Sequence, residues 1–409
     1  MNERPIHVLV VANVLYPDLA GGAAVFSDLC FSLARRGFKV TALAPYPFYP
    51  EWRDKTGRNG VKVWRYRENG VTFARYGLYI PRSPNSLVQR VVFEASFFLS
   101  LLRALPAARK CDVMLAFCPL ASGVAFAGLA KHLFSKPVWL NVQDISADAA
   151  AAVGIAKAGV VSRLLRGTER LLFNQADVWS SISPVMVERL KEVRRRGQTI
   201  HMLPNWVGDA LRREIEALPS KIGRPPSRPL RLLYAGNIGK KQNLLAFCRT
   251  VRRARGAFEF RIFGNGANAA EVEEFVRTTG DSRFSFGPFL PEKDFAQELW
   301  WADYYVITES PGIGGSFIPS KLIPGLMSGT PLLTVCDRES PLGQEMAASQ
   351  AGPFFSWDRV DEVIDLLDCP SSREFDTWQR NAIARARVYD REAIIAAFEE
   401  GLRSLALAT

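Results

Sequence analysis

The sequence predicts an α/β protein made of two doubly wound, parallel-sheet, Rossmann-like domains facing a cleft. Three observations predict it. Short apolar runs alternate with segments of helical spacing along both halves of the chain. The stretch PSKIGRPPSRP over 219–229 interrupts the alternation with proline and glycine and has no apolar periodicity, as a linker or domain-edge loop would. A chain of 409 residues exceeds what one core organises and suits two. The expected domains are 1–215 and 216–387. An amphipathic helix over Arg391–Leu407, within 388–409, is expected to pack back on the first domain.

In the first half, Ile6–Ala12 is short, apolar and continuous, as a strand buried on both faces should be. A loop carrying Pro17, Gly21 and Gly22 follows. Val25, Phe26, Leu29, Cys30, Leu33 and Ala34 then recur with helical spacing, and Gly37 stops that helix. Lys39–Ala44 reads as the second strand, which completes a βαβ unit whose first loop is rich in glycine. Val113–Phe117 and Val138–Val142 read as strands around a helix over Gly123–Phe134. Asp177–Ser181 is a further strand, Val185–Arg196 a helix, and His201–Pro204 closes this half. Val91–Leu102 is apolar apart from Glu94 and lies among Arg82, Arg90, Arg103, Arg109 and Lys110. A membrane-facing amphipathic segment and a core helix with solvated ends both fit it.

In the second half, Leu230–Tyr234 is a strand, Gly236–Gln242 a loop, and Leu244, Leu245, Phe247, Cys248 and Val251 mark a helix. Phe258–Phe263 is a strand ending in Gly264-Asn265-Gly266. Glu271–Thr279, Phe284–Phe286, Phe295–Ala302 and Tyr304–Thr308 continue the alternation. A glycine-rich loop, a short helix over Ser320–Met327 and the strand Leu332–Val335 follow.

Composition narrows the function. The chain is 48% hydrophobic and 23% charged, which excludes wholesale disorder. A net charge of +11 implies an anionic partner: nucleic acid, an anionic membrane surface or a phosphorylated substrate. No nucleic-acid recognition module is visible, so no nucleic-acid partner is expected. The six cysteines form no CxxC pair and the three histidines lie far apart, so no metal site is expected. The cysteines read as small buried hydrophobes of a protein in the reducing cytoplasm. The apolar start lacks a small-residue cleavage site and is broken by Tyr16-Pro17-Asp18, so it reads as a strand and not as a signal peptide. No uncharged apolar run of about 18 residues occurs, so no membrane-crossing helix is expected. No Ser–His–Asp arrangement, P-loop, HExxH or GxGxxG with a downstream acid is present, which argues against dehydrogenases and NTPases.

Ligands of open parallel sheets bind at the C-terminal ends of the strands, so the loops after strands carry the chemistry. In Gly236-Asn237-Ile238-Gly239-Lys240-Lys241-Gln242-Asn243, glycines let backbone N–H groups approach an anion, and Lys240 and Lys241 offer charge to a diphosphate. A strand-to-helix turn with two solvated lysines fits equally well. Gly264, Asn265 and Gly266 also follow a strand, where a turn needing positive φ is an equal explanation. Gly312–Lys321 brings Gly314, Gly315 and Ser316 up to a helix start at Ser320, whose hydroxyl can cap the helix and whose free N–H groups can hold an anion. Lys321 opposes the helix dipole there, which makes sense beside an anion; the plainer reading has it pointing to solvent. Gly21 and Gly22 either let a diphosphate or an acceptor approach the backbone or simply open a helix. Asp144, at the end of Asn141-Val142-Gln143-Asp144, either meets acceptor hydroxyls or caps the next helix.

Together these segments resemble family-4 retaining glycosyltransferases of the GT-B fold, over most of the chain. YPDLAGGAAVFSDLCFSLARRGFKVTALAPYP (16–47) resembles the opening loop, helix and second strand. LPNW (203–206), GNIGKKQN (236–243), FGNGA (263–267) and IPSKLIPGLMSGTPLL (318–333) resemble later elements in the right order. NVQDISADAA (141–150) and YIPRSPNSLVQRVVFEASFFLSLL (79–102) are similar to a narrower group that includes the colanic-acid-type exopolysaccharide fucosyltransferases.

The resemblance implies a nucleoside diphosphate sugar as co-substrate, held mainly by the C-terminal domain, and no metal or other cofactor. It implies an acceptor on the N-terminal domain, whose basic and partly apolar character suits an anionic membrane surface and a glycan or polyprenyl-diphosphate-linked acceptor. Lys241, Lys321 and Asp144 would take catalytic roles. Gly21, Gly22, Gly236, Asn237, Lys240, Gln242, Gly264, Asn265, Gly266, Gly314, Gly315, Ser316 and Ser320 would bind the donor. A cytoplasmic enzyme peripheral to the inner membrane face follows. The sequence departs from the family at the E-x7-E pair, which falls at Ser316 and Pro324, with Glu309 close by in the chain. The usual arginine and lysine of the donor loop are Asn237 and Gln242, and the residues after Asp144 are altered to Ser146 and Ala147. A GT-B protein that binds a nucleotide sugar or glycan without turnover is the alternative, and a GT-B sugar epimerase a third.

Overall fold

The computed structural model describes residues 4–18, 22–49, 51–83, 86–144, 160–195, 197–312, 319–369 and 373–408. The chain forms two compact units. Met1–Asn205 joins Arg391–Thr409 in the first, and Trp206–Asp390 makes the second.

The first unit is built on β1 (His7–Val11), β2 (Lys39–Pro45), β3 (Trp64–Glu68), β4 (Val71–Tyr76), β5 (Val113–Cys118), β6 (Val138–Val142), β7 (Val178–Ser181) and β8 (Thr199–Met202). They form one sheet in the order β3-β4-β2-β1-β5-β6-β7-β8. All neighbours are parallel except β3 and β4. β1 and β5 are buried at every residue, which is why their sequences are apolar runs without alternation. Around the sheet run α1 (Ala23–Arg35), α2 (Leu87–Leu101), α3 (Leu105–Lys110), α4 (Ala121–Phe134), α5 (Val160–Phe173) and α6 (Pro184–Val193).

The hairpin β3–β4 turns through Asn69 and Gly70, both at positive φ, 46° and 82°. Asn-Gly is the dipeptide that a two-residue hairpin of this hand requires. In the sequence, the alternation of βαβ units masks this antiparallel edge.

The second unit begins earlier than the expected division at 216. Its first helix, α7 (Asp209–Glu216), packs on α10 (Glu292–Trp301). The segment 219–229 is therefore a domain edge and not a tether. The Lys221 ammonium is buried and donates to the carbonyls of Leu299 and Ala302 and to Thr330 Oγ1. Asp303 accepts from the Ser227 and Arg231 N–H groups. The sheet consists of β9 (Leu230–Asn237), β10 (Phe258–Asn265), β11 (Phe284–Gly287), β12 (Tyr304–Thr308), β13 (Leu332–Val335) and β14 (Phe354–Phe355). It is wholly parallel, in the order β11-β10-β9-β12-β13-β14. Its helices are α7, α8 (Leu244–Val251), α9 (Ala269–Thr279), α10, α11 (Leu322–Met327), α12 (Pro341–Ser349), α13 (Glu362–Asp368) and α14 (Phe375–Ala386).

The last helix, α15 (Arg391–Leu407), belongs to the first unit. Phe398 stacks near Trp139 at 5.5 Å between ring centroids. Gly401 lets the helix settle on the same indole, since a Cβ there would collide with the Trp139 ring. Arg391 is buried and bridges Asp28 with two hydrogen bonds of 2.8 Å.

Five of the six cysteines are buried as expected, whereas Cys369 is exposed. The stretch Leu87–Lys110 is long and apolar enough to cross a membrane by length and composition, contrary to the expectation from unbroken runs. Its inner side is committed to the unit: Phe93, Phe97 and Leu101 are buried, and α2 packs on α4.

Candidate functional site

Counted from β9, the second sheet has the strand order 3-2-1-4-5-6. Its crossovers reverse direction between β9 and β12, and a crevice outside the C-terminal ends of strands opens at such a switch point. The loops leaving β9, β10 and β12 carry most of the residues singled out in the sequence.

β9 and β10 stay paired to their last residues, Gly236 with Gly264 and Asn237 with Asn265. The backbones approach so closely that a Cβ at Gly264 would strike the Gly236 carbonyl. Gly266 has φ +146°, and a Cβ there would lie 2.5 Å from the Ile238 carbonyl oxygen. Strand pairing thus accounts for Gly264, and the close approach of the loops just beyond the two strands for Gly266. Gly236 has φ +135°.

After Gly236 the loop bonds to itself. Gln242 Oε1 accepts from the Gly239 N–H at 2.9 Å and from Asn237 Nδ2 at 3.4 Å. Asn237 and Lys240 are exposed, and Asn265 is exposed beside them. The loop is tied to the end of β12: Thr308 Oγ1 donates to the Gln242 carbonyl, and the Ser310 N–H and hydroxyl donate to the Lys241 and Lys240 carbonyls.

Lys321 departs from the plainer expectation of a solvated side chain. It occupies the N-cap position of α11, and Ser320 precedes the helix without capping it. The Lys321 side chain runs back beneath β9. Its ammonium lies 3.7 Å from the centroid of the Tyr234 ring and 3.4 Å from where a Gly236 Cβ would stand. Nζ is buried and, among the described residues, makes no hydrogen bond. Burial lowers its pKa to about 7. Among the described residues the ring face is its one compensation. An amine stripped of water in this way is a ready donor for an anion that reaches the end of β9. Tyr234 itself is fixed by donating its hydroxyl to the Asn237 carbonyl at 2.6 Å. Sequence reasoning missed Tyr234, which reads as one more apolar strand residue.

Glu309, next after β12, is also buried, and among the described residues neither carboxylate oxygen makes a hydrogen bond. Desolvation raises its pKa to about 7, helped by the Asp337 charge and opposed by that of Lys241. Pro324, where the family places its second acid, is buried in the first turn of α11. Its missing N–H costs nothing there, since first-turn amides have no partner within the helix.

The first-unit residues form a separate group. Gly22 is the N-cap of α1, and a Cβ on it would collide with the Phe26 ring, so packing at a helix entry accounts for it. Asp144 follows β6, and its carbonyl accepts from Cys118 Sγ at 3.6 Å. The preceding Gln143 accepts from Asn205 Nδ2 at 2.8 Å, which links the NVQD and LPN segments. Gly21, Gly314, Gly315, Ser316, Ser146 and Ala147 lie outside the described residues. Among the described residues, no cluster of three His, Cys, Asp or Glu side chains could hold a metal ion.

Residues 20–206 match the family described as glycosyl transferase 4-like domain. WcaI of Escherichia coli (strain K12), named as a glycosyl transferase of colanic acid biosynthesis, is 26% identical over 415 residues, 97% of this chain and 99% of that protein. WbjE of Pseudomonas aeruginosa, named as a glycosyltransferase, is 25% identical over 70% of this chain and 75% of its own. Among solved structures, sucrose-phosphate synthase from Thermosynechococcus elongatus superposes with a TM-score of 0.72 at 15% identity, covering 99% of this chain and all of that one. Anabaena HepE, in complex with UDP and glucose, does so with a TM-score of 0.67 at 13% identity, over 98% of this chain and all of its own. These neighbours are GT-B proteins, and the two parallel-sheet units have that fold.

Proposed function

Because residues 20–206 match the glycosyl transferase 4-like domain and the chain has the GT-B fold, we propose that this glycosyltransferase moves a hexose or deoxyhexose from a nucleoside diphosphate sugar, with retention, to a lipid-linked glycan. The place of the reaction is exopolysaccharide biosynthesis at the cytoplasmic face of a membrane. The likeness to WcaI over nearly the whole length of both chains supports that assignment.

The observation that carries the reading is the buried, unbonded ammonium of Lys321 at the switch point of the second sheet. A donor diphosphate there accepts hydrogen bonds from Lys321 and from backbone N–H groups of the Gly236–Gln242 loop, with Lys240 and Lys241 adding charge. The acceptor hydroxyl attacks the anomeric carbon on the face from which the diphosphate departs. The C–O bond to the diphosphate breaks, its electron pair goes to the phosphate oxygen, and that oxygen takes the acceptor proton. Fixed cations stabilise the departing charge, so the step asks for no metal. Asp144, at the end of a first-unit strand, receives acceptor hydroxyls.

Thermal-shift measurements with GDP-, UDP- and dTDP-sugars test the donor. One of them should raise the melting temperature, and Lys321→Ala should weaken that ligand about tenfold to a hundredfold, the range for a charge-assisted hydrogen bond. If no nucleotide sugar shifts the transition, the donor assignment fails. Binding without transfer to polyprenyl-diphosphate-linked glycans would favour a binding protein that has lost turnover, as Pro324 in place of an acid suggests.

A further inference from the structure

α2 has two faces of opposite fate. Phe93, Phe97 and Leu101 point into the first unit, while Val88, Val91, Val92 and Leu99 stand 72%, 59%, 43% and 64% exposed. At the 3.6-residue period of a helix those four fall on one side, together with the exposed Ala95. The stripe is bare aliphatic surface on a helix whose other side is already satisfied. Nothing in the first unit covers it among the described residues.

The charges of the region are arranged around this stripe and not within it. Glu94, the one acid of the helix, turns inward, where its carboxylate accepts from the Ser122 N–H at 2.8 Å and hydroxyl at 2.6 Å, at the start of α4. Arg103, just past the helix end, is exposed and donates to the Val61 carbonyl at 2.6 Å. That bond brings Val61, 80% exposed, and the exposed Lys62 to the C-terminal end of α2. At the other end, the segment 79–83 runs along α2: the Tyr79 N–H bonds Ser96 Oγ at 2.8 Å and the Ser83 N–H bonds Gln89 Oε1 at 2.9 Å. This places the half-exposed Tyr79 and the exposed Arg82 at the rim.

We propose that this outer face of α2, with its rim of Arg82, Lys62 and Arg103, is the surface by which the protein docks on an anionic lipid bilayer. Aliphatic side chains enter the headgroup–acyl boundary, an amphipathic tyrosine sits at its edge, and guanidinium and ammonium groups meet lipid phosphates. The helix lies in the plane of the bilayer and does not cross it, because Phe93, Phe97, Leu101 and Glu94 are held in the unit. Arg90 in the first turn of α2 stacks over Trp52 at 4.8 Å. Trp52 lies on the loop that follows β2 and also meets the buried Phe93, so the inner side of α2 packs on a loop leaving the C-terminal end of that strand. α2 thus stands between the bilayer on its outer side and a loop at the sheet end where such folds bind ligands. The surface deepens the acceptor reading, and its purpose rests on that reading.

Vesicle flotation of the full chain, without nucleotide sugar, tests it. The protein should float with phosphatidylcholine vesicles containing phosphatidylglycerol, less so as salt rises, and not with phosphatidylcholine alone. The variant Val88→Ser/Val91→Ser/Leu99→Ser should lose about tenfold or more of this partitioning, because three apolar side chains leave the boundary. Arg82→Glu/Arg103→Glu should lose the preference for anionic lipid. Both keep the thermal shift with nucleotide sugar, which reads the donor site separately. Equal flotation of the serine variant, no flotation of the wild type, or equal flotation on neutral vesicles overturns the proposal. A dimer in sedimentation that the serine variant dissociates also overturns it, by assigning the stripe to a second copy of the chain.

Discussion

Lys321 ties protonation to both stability and ligand binding. Its pKa stands near 7 in the folded protein, against 10.5 in an exposed lysine. Between those values the unfolded chain holds the proton and the folded chain releases it, so the burial penalty shrinks as pH rises from 7 towards 10. Lys321→Met should therefore raise the melting temperature more at pH 6 than at pH 9. The expected gain at the lower pH is about 2–4 °C, what about 1 kcal/mol produces in a unit of this size. Calorimetry at the two pH values checks it. An anion that binds the ammonium form must recapture the proton above pH 7, so nucleotide-sugar affinity should fall as pH rises beyond that point and become flat in Lys321→Met. Glu309 has the opposite sign. Its folded pKa is raised to about 7 from 4.5, so it is protonated in the fold and ionised in the unfolded chain between those values. Stability drains away across that window, and the full penalty remains above it. Glu309→Gln should stabilise the protein above pH 7 and leave it unchanged below pH 4, as a denaturant midpoint series would show.

At the scale of elements, the end of the β9–β10 ladder fixes where the donor loops begin. Gly264→Ala should cost about 1–3 kcal/mol, the range for forcing atoms into a filled space, because its Cβ meets a backbone carbonyl that belongs to the ladder. A urea midpoint measures it. This ladder explains what the sequence could and could not reveal. Gly264 and Gly266 were visible as glycines after a strand, and their residue type is indeed informative. The reason for it, a carbonyl on or just beyond the neighbouring strand, belongs to a pairing between segments some thirty residues apart and has no local signature. The buried parallel strands were legible because burial on both faces writes itself as apolar runs. The Asn69-Gly70 hairpin was written just as plainly and was overlooked in favour of βαβ alternation. The direction of the Lys321 side chain was not written at all. Ser320 at the helix start invites a capping assignment, and only the position of Tyr234 beneath Gly236 shows the lysine turning inward. The boundary at 216 was misplaced because α7 is strongly amphipathic and could serve either unit, and its partner, α10, lies far along the chain.

For the whole molecule, the decisive feature is that the chain leaves the first unit at Asn205 and returns to it at Arg391. Removing residues 391–409 should uncover Trp139 and leave Asp28 without its guanidinium. Loss of one partner of a buried pair typically costs about 3–5 kcal/mol, and the lost apolar packing adds to it. Hydrogen exchange in the truncated protein should quicken in α1 and β6 and stay unchanged in β9 to β13. The same path has a consequence for synthesis. A ribosome making about 5–20 residues per second needs roughly 10–40 s between Asn205 and Arg391. Throughout that interval the nascent first unit is whole in its strands yet carries an open indole face. The second unit, read out in one piece, can complete itself first. α15 therefore serves as a latch on a sheet made well before it, and a message cut short between Asn205 and Arg391 yields a chain with an exposed apolar face that chaperones and proteases can recognise.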